Sequence, residues 1–226
     1  MHNLVDFPAR IFYIESSSLQ AARVRLTQGE VRKDMSAGKR EKILKAAISV
    51  FASRGFYNAK MEDIAREAGV AVGTTYLYFE NKDDLMISIF EEEMEPLINR
   101  MRENMATKTT ATEKIATFIH SHLTFVERNP DMAHLLEVEM RFCSQFILGY
   151  HGGRFKEYLD LISAALVEGQ ISGEFKTAIH PSIFKQILFG AVDQIATNYT
   201  VSKPKRTLLS SFADEITSVI LHGIAK

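Results

Sequence analysis

The sequence has little of what marks several classes of protein. Its 226 residues include one cysteine, Cys143, so a disulfide within the chain is excluded and a small buried hydrophobe is expected there. Apolar residues make up 46%, but no apolar run approaches the ~18 residues of a membrane-spanning helix. Asp6 and Arg10 interrupt any secretory signal pattern at the N-terminus. We therefore expect a cytoplasmic protein with a substantial core.

Motifs that carry catalysis are also missing. The sequence contains no G-x-S-x-G, no phosphate-binding P-loop and no G-x-G-x-x-G. His120 and His122 are two residues apart, so a helix would not place them on one face as joint metal ligands. Asp131 and His134 have the spacing of a di-iron ligand pair, but only once. We predict no enzyme activity, no metal and no cofactor.

Alternating strand patterns are absent as well, and nearly every patterned segment has helical spacing. We predict an all-α fold. Pro96 is predicted to kink or end the longest helix near Met94–Glu95, because proline removes a backbone donor. The predicted helices span 39–53, 61–68, 72–79, a long segment from about 81, 112–128, 131–148, 154–171, 181–200 and 206–224.

Charge is unevenly distributed although the net charge is only −1. Residues 1–82 carry 13 Lys/Arg and 9 Asp/Glu, whereas residues 83–226 carry 14 and 19. The first segment therefore has net charge +4 and the second −5. This asymmetry favours an anionic partner for the first third of the chain alone.

The segment 69–85, GVAVGTTYLYFENKDDL, follows a short predicted helix and contains a second one. Gly69 suits the left-handed residue that ends the first helix, which gives a helix-turn-helix arrangement. The second helix of that motif enters the DNA major groove, and Gly73 would keep it narrow there. Leu77 and Phe79 are predicted to point the other way, into the core.

Several side chains of this segment suit DNA. Thr74 and Thr75 offer hydroxyl and methyl groups to base edges or phosphates. Tyr76 and Tyr78 combine an apolar body with a polar tip, which suits contacts with the DNA backbone. Lys82 follows at the start of the long helix, where a cation and backbone N–H groups can meet a phosphate.

Residues 39–85 resemble the N-terminal domain of the TetR family of bacterial transcriptional regulators. The resemblance is carried by ASRGFYNA and by MEDIAREAGVAVGTTYLYFENKDDL. Two positions depart from the family pattern: Met61 stands where threonine is common, and Val72 where a polar residue is common. The resemblance implies DNA contacts at Met61, Val72, Gly73, Thr74, Tyr76, Tyr78 and Lys82.

The resemblance also implies a domain organisation. Residues 35–82 would form the three-helix DNA-binding domain, and residues 83–226 a helical bundle for effector binding and dimerisation. Residues 1–34 precede the usual family start, and two interpretations remain: a start placed too far upstream, or a basic arm that reaches DNA. The candidate arm residues are Arg23, Arg25, Arg32 and Lys33.

A homodimer is expected, because one short helix reads too few base pairs and two must lie about 34–36 Å apart on an operator. In the family the interface comes from the last helices of the bundle, here segments 157–170 and 184–199. The long helix from 81 would transmit effector binding, and Pro96 would place its bend. The candidate interface residues are Leu161, Ala165, Ile187, Gly190, Ala191 and Gln194.

The effector domain resembles that of the fatty-acid-degradation regulators within the TetR family, on LEVEMRF, LVEGQISGEFK and FGAVDQIATNY. This implies release from DNA by long-chain acyl-CoA. Arg141, with Arg154 or Lys156, would meet the coenzyme phosphates. The residues predicted to line an apolar slot are Phe118, Phe125, Met132, Leu136, Met140, Phe142 and Phe146.

Other interpretations remain open at this point. The effector could be a free fatty acid or a planar drug-like compound, or there could be none, since a Phe/Met stripe is usually core. The chain could also be a ligand-binding or adaptor protein that keeps the fold without reading DNA, because Met61 and Val72 depart from the family pattern.

Overall fold

The computed structural model describes residues 38–143, 153–202 and 208–224. The chain forms two compact units, Met1–Ile43 and Leu44–Lys226, and the sites discussed below lie in the second. Phe146 and the extension 1–34 fall outside the described residues, so the expectations for them stay predictions, as do the domain boundaries.

The described part of the chain is helical throughout its regular structure, which confirms the all-α prediction. Short 3-10 helices lie at Glu139–Phe142 and Leu209–Phe212. The α-helices are α1 38–54, α2 Met61–Ala68, α3 Val72–Tyr76, α4 Lys82–Ala106, α5 Ala111–Arg128, α6 Pro130–Glu137, α7 Gly153–Ser172, α8 Pro181–Val201 and α9 Ala213–Ile224.

The helices α1 to α3 are held together by a small aromatic core and one ion pair. The rings of Phe51 and Phe56 lie 5.3 Å apart, and the guanidinium of Arg54 lies 3.0 Å from the Asp63 carboxylate. Phe79 is buried as predicted, but Leu77 is 81% exposed, so its predicted inward orientation is wrong. Helix α3 ends at Tyr76, and the turn that follows leaves Leu77 in solvent.

Helix α4 begins as predicted. The Asn81 side chain accepts a hydrogen bond from the Asp84 N–H at 2.9 Å, which satisfies one donor that the helix leaves free. The prediction that Pro96 ends the helix is wrong, because α4 continues to Ala106. Proline has no N–H, so the helix loses one hydrogen bond, to the carbonyl four residues earlier. Packing of the following turns outweighs that loss, since Ile98 and Met101 are buried. A bend at Pro96 stays a prediction.

Helix α5 is central to the bundle and is capped by two groups. Thr110 and Glu113 form a capping box, and the Glu174 carboxylate accepts from the N–H groups of Ala111 and Thr112 at 3.1 and 3.0 Å. These backbone hydrogen bonds lower the pKa of Glu174 to about 2. The loop after α7 is thereby fixed against the start of α5.

Helices α4, α5 and α8 all pack against α7, and α6 packs against α8. The predicted helix 131–148 is corrected: α6 ends at Glu137, and the chain tightens into the 3-10 helix 139–142. That change accompanies Glu139, whose carboxylate turns toward the N–H of Phe56. The predicted helix 206–224 is likewise shorter, since α9 begins at Ala213.

Two glycines of the helix-turn-helix give a matched test of backbone conformation. Gly69 has φ 67°, Gly73 is helical, and a Cβ added at either would meet no atom within 4 Å. Gly69→Ala should lower the free energy of unfolding by about 1 kcal/mol. Gly73→Ala should raise it by about 0.5 kcal/mol, because alanine restricts the unfolded chain. Urea unfolding of both variants measures these changes. Equal changes in the free energy of unfolding would contradict the left-handed conformation of Gly69.

Candidate functional site

The exposed side of α3 retains most of the predicted DNA contacts. Val72 and Tyr76 are 37% and 50% exposed, Gly73 is exposed, and Thr74 and Tyr78 are half-buried. A narrow helix start followed by tyrosines fits the entry of one helix into a major groove. Gly69, with φ 67°, ends α2 and turns the chain into α3, which packs against α2 and leaves these positions accessible.

Two predicted DNA contacts are corrected by burial. Thr75 is fully buried, and its hydroxyl donates to the Val72 carbonyl at 2.7 Å, so it is not available to DNA. Met61 is 6% exposed and packs in the core at the start of α2. Met61 is the first helical residue of α2, and Lys60 at the N-cap position gives no side-chain cap.

Lys82 has a role that the sequence did not indicate. Its ammonium group donates to the carbonyls of Phe56, Tyr57 and Ala59 at 2.9, 3.0 and 3.4 Å, and it lies 4.6 Å from the centre of the Phe56 ring. All three donor positions of an ammonium are thus used on the turn between α1 and α2. A phosphate would have to compete with these carbonyls, and the predicted phosphate contact of Lys82 stays a prediction.

Glu139 reaches the same turn from the bundle. Its carboxylate accepts from the Phe56 N–H at 2.6 Å in a buried position, and His134 lies 3.3 Å away. Hydrogen bonds to a charged acceptor are short and roughly twice as strong as neutral ones. The turn 55–59 is therefore held by α4 through Lys82 and by the 3-10 helix 139–142 through Glu139.

A cavity of about 230 Å³ lies among α4, α5, α6, α7 and α8. Its polar lining consists of His122, Glu137, Arg141, Tyr158 and Asp193. The cavity is mostly apolar, with the polar groups gathered in one cluster. Its apolar lining consists of Phe90, Met94, Leu97, Phe125, Leu136, Phe155 and Phe189.

Three of the predicted effector residues, Phe125, Leu136 and Arg141, line this cavity, and four do not. Phe118 and Met140 are core residues with at most 1% exposure, and Phe142 is exposed at 57%. Met132 is half-buried outside the lining. For Met140 and Phe142 the 3-10 helix explains the error, because it breaks the helical spacing predicted for 131–148.

Helix α4 contributes three lining residues that were not predicted from the sequence. Phe90, Met94 and Leu97 share one helical face, so their i, i+4, i+7 spacing was a usable signal. No sequence signal identifies Phe155 and Phe189 as lining residues, since their surroundings depend on how α7 and α8 pack. The polar lining was equally hidden, because burial of His122 or Glu137 cannot be read from a single sequence.

The polar cluster is electrostatically strained. Arg141 donates to the Asp193 carboxylate at 2.6 Å. Burial raises the pKa of Glu137 well above its ordinary value, and the neighbouring Asp193 raises it further, while Arg141 opposes this. Burial also lowers the pKa of His122 to about 4, so this imidazole is neutral near pH 7. The cluster thus holds the Arg141–Asp193 ion pair beside Glu137 and His122, which both favour their neutral forms.

The other two cations predicted to meet coenzyme phosphates already have partners. Arg154 lies 2.8 Å from Glu95 on α4 and 3.2 Å from Glu157, and Lys156 lies 2.6 Å from Asp160. These pairs are partly exposed and weak individually, so an anion could compete for them. The role of Arg154 and Lys156 in effector binding stays a prediction.

The exposed surface of α7 and α8 carries apolar residues that the interface prediction only partly included. Ile187, Gly190 and Gln194 are exposed, and Leu161 and Ala191 are half-buried. Ala165 is buried and is corrected to a core residue. Further exposed apolar residues of these helices are Val167, Ile171 and Ile183.

Within the ranges that the structure describes, no helix is both long and apolar enough to cross a membrane. Those same residues include no group of three or more His, Cys, Asp or Glu side chains placed to hold a metal ion.

A helix-turn-helix followed by a helical bundle with an apolar cavity is typical of a DNA-binding regulator, and comparison with known families agrees. Residues 43–89 match the family described as bacterial regulatory proteins, tetR family. Residues 90–223 match the YsiA-like protein, C-terminal region. The chain belongs to the TetR family of transcriptional regulators, which are not enzymes.

Individual relatives point to one branch of the family. The fatty acid metabolism regulator protein of Bacillus subtilis is 33% identical over 80% of this chain and 93% of its own. The fatty acid degradation regulator FadR of Bacillus halodurans has TM-score 0.73 and 30% identity, covering 82% and 95% of the two chains. FadR of Bacillus subtilis in complex with stearoyl-CoA has TM-score 0.70 and 32% identity, covering 81% and 98%.

The contacts of Lys82 predict a stabilising role that an exposed lysine would not have. Lys82→Met keeps the aliphatic stem but removes the donors to three carbonyls, and should lower the free energy of unfolding by about 1–3 kcal/mol. Lys60→Met removes the same charge from an exposed site and should change it by less than about 0.5 kcal/mol. Denaturant unfolding compares the two, and equal stabilities would contradict the contacts.

Proposed function

We propose that this protein is a transcriptional repressor that binds a palindromic operator as a cytoplasmic homodimer and is released by long-chain acyl-CoA. Thr74, Tyr76 and Tyr78, with Gly73 and Val72, form the DNA-reading surface. The exposed apolar residues of α7 and α8 supply the dimer contact, and the cavity bordered by Arg141 receives the acyl chain.

The apolar lining supports a hydrocarbon ligand. Phenylalanine, leucine and methionine surround most of the cavity, and methionine adapts to flexible chains. The similarity to a FadR whose structure contains stearoyl-CoA supports the same class of ligand. Arg141 borders the cavity and is half-exposed, which suits contact with the phosphates of the coenzyme.

The size of the cavity supports a switch. At about 230 Å³ it is smaller than the roughly 300–1,000 Å³ of pockets that hold drug-sized ligands. A long acyl chain therefore requires the surrounding helices to separate. Binding then favours a different arrangement of the lining elements, which is the differential affinity that any ligand-driven change requires.

The 3-10 helix 139–142 carries this proposal, because it touches both sites. Arg141 contacts Asp193 at the cavity, and Glu139, two residues earlier, holds the Phe56 N–H of the DNA-binding domain. The same segment is followed by Cys143, which is buried and whose thiol lies 3.9 Å from the Asp83 carbonyl on α4. Movement of Arg141 toward a coenzyme phosphate would displace Glu139 and with it the turn 55–59.

Operator release tests the proposed function directly. The protein should shift DNA from upstream of its own gene in the presence of competitor DNA, with an affinity that falls as salt rises. Stearoyl-CoA at micromolar concentration should reverse the shift, while coenzyme A alone should not. Arg141→Ala should raise the stearoyl-CoA concentration needed for half-release about tenfold. Arg128→Ala, a matched change at an exposed position of α5, should leave that concentration unchanged. Operator complexes indifferent to stearoyl-CoA would refute the acyl-CoA effector.

Removal of the Glu139 contact tests the route of coupling. Glu139→Ala should leave the affinity of the free protein for stearoyl-CoA nearly unchanged, because Glu139 does not line the cavity. It should shrink the ratio of operator Kd values with and without saturating ligand by about threefold to tenfold. Glu139→Gln retains an acceptor on the same stem and should give an intermediate ratio. Titration calorimetry and gel shifts measure the two quantities, and an unchanged ratio in Glu139→Ala would exclude this route.

A further inference from the structure

Two buried polar atoms of the cavity stand without a hydrogen-bond partner among the described residues: Nε2 of His122 and Oε2 of Glu137. Both side chains line the cavity, and that of His122 is 4% exposed. Buried polar atoms in native proteins are nearly always paired, since an unpaired one costs about 1–3 kcal/mol. Their concentration at one wall of an otherwise apolar cavity indicates a binding point for a polar group of the ligand.

The hydrogen bond between His122 and Tyr158 fixes the role of the histidine. The Tyr158 hydroxyl lies 2.6 Å from Nδ1 of His122, and the imidazole is its one hydrogen-bond partner within the described ranges. Burial raises the pKa of the phenol well above its ordinary value, so the hydroxyl keeps its proton. Nδ1 is the one acceptor that the described residues offer to this O–H group, so we assign the hydroxyl as the donor of the hydrogen bond. Because the imidazole is neutral, its remaining proton lies on Nε2. His122 therefore presents a single N–H donor.

Glu137 presents the complementary acceptor. Burial and a hydrogen bond to Asp193 raise the pKa of Glu137, so the proton of its neutral carboxyl group is donated to Asp193, and the unpaired Oε2 is left as an acceptor. Its other oxygen, Oε1, lies 3.9 Å from Nε2 of His122, too far for a direct hydrogen bond. One oxygen atom of a ligand, about 2.8 Å from each partner, would bridge His122 and this carboxyl group. That atom must accept from His122 and donate to Glu137, a combination that a hydroxyl group has and that a thioester carbonyl, an ether or a carboxylate lacks.

The charges around the pair exclude an anion at this point. Asp193 and Glu137 are adjacent carboxyl groups, and the Arg141 guanidinium is already paired with Asp193. A carboxylate or phosphate placed beside them would meet like charge in a desolvated site. The neighbouring lining residues Phe125, Leu136 and Phe189 require the rest of the ligand to be apolar.

We propose that the His122–Glu137 pair binds a hydroxyl group on the hydrocarbon chain of the effector, so that the protein prefers hydroxylated acyl chains to plain ones. The coenzyme A thioester of that chain rests on the proposed function, whereas the hydroxyl-binding pair does not. The preference arises because a plain chain leaves both polar atoms buried and unpaired.

Titration calorimetry with the full-length protein tests the preference. The ligands are stearoyl-CoA and its monohydroxylated forms with the hydroxyl at carbon 3, 10 or 12. At least one hydroxylated form should bind about tenfold more tightly than stearoyl-CoA. Glu137→Leu, which removes the acceptor at similar volume, should abolish the difference. Glu137→Gln keeps an acceptor and should retain most of it.

A second pair of probes removes the coenzyme from the test. 1-Octanol and 1-methoxyoctane differ in the ability to donate a hydrogen bond, and the wild-type protein should bind the alcohol about tenfold more tightly. If the CoA thioesters do not bind but octanol shows this preference and Glu137→Leu removes it, the proposed effector is wrong and the hydroxyl site stands. The hydroxyl site is refuted if neither ligand series shows the preference, or if Glu137→Leu retains it.

Discussion

The turn between α1 and α2 depends on groups that lie outside it. Three of its carbonyls accept from one ammonium, that of Lys82, and its Phe56 N–H donates to Glu139. Backbone groups in a tight turn cannot all pair with each other, and a buried unpaired group is costly. The position of the DNA-binding helices is thus set by the first residue of α4 and by a short segment of the bundle. A domain supported in this way responds to shifts of either support.

The cavity among α4 to α8 shows the opposite balance, since its polar groups are only partly compensated by hydrogen bonds and ion pairs. Arg141 and Asp193 neutralise each other, while Glu137 and His122 are both held away from their charged forms by burial. Incompletely satisfied polar groups are rare in cores and common where a ligand completes the network. The cluster therefore separates the cavity into a hydrocarbon part and a polar part, and this division restricts which ligands fit.

Prediction from the sequence succeeded where local chemistry decides the outcome. The bounds of α2, the Asn81 cap and the burial of Phe79 all follow from turn residues and helical spacing. It failed where tertiary contacts override local pattern. Leu77 lies in solvent although Thr75 and Phe79, two residues to either side, are buried. The 3-10 helix 139–142 displaces Met140 and Phe142 from the face that periodicity predicted for them. Lys82 illustrates a third case: its position was correct, but its partners come from carbonyls 23 to 26 residues earlier, which no local pattern encodes.

The burial of Thr75 has a consequence for how this regulator can evolve. Under the proposed function, the burial of Thr75 leaves base recognition to a few exposed side chains, chiefly Val72 and Tyr76, which contribute little to the core. Surface substitutions away from special contacts usually change stability by less than about 0.5 kcal/mol. These positions can therefore vary with little penalty for folding, and a regulator of the proposed kind would acquire a new operator while its effector response is retained. Divergence of target genes and divergence of the ligand are separable in this architecture.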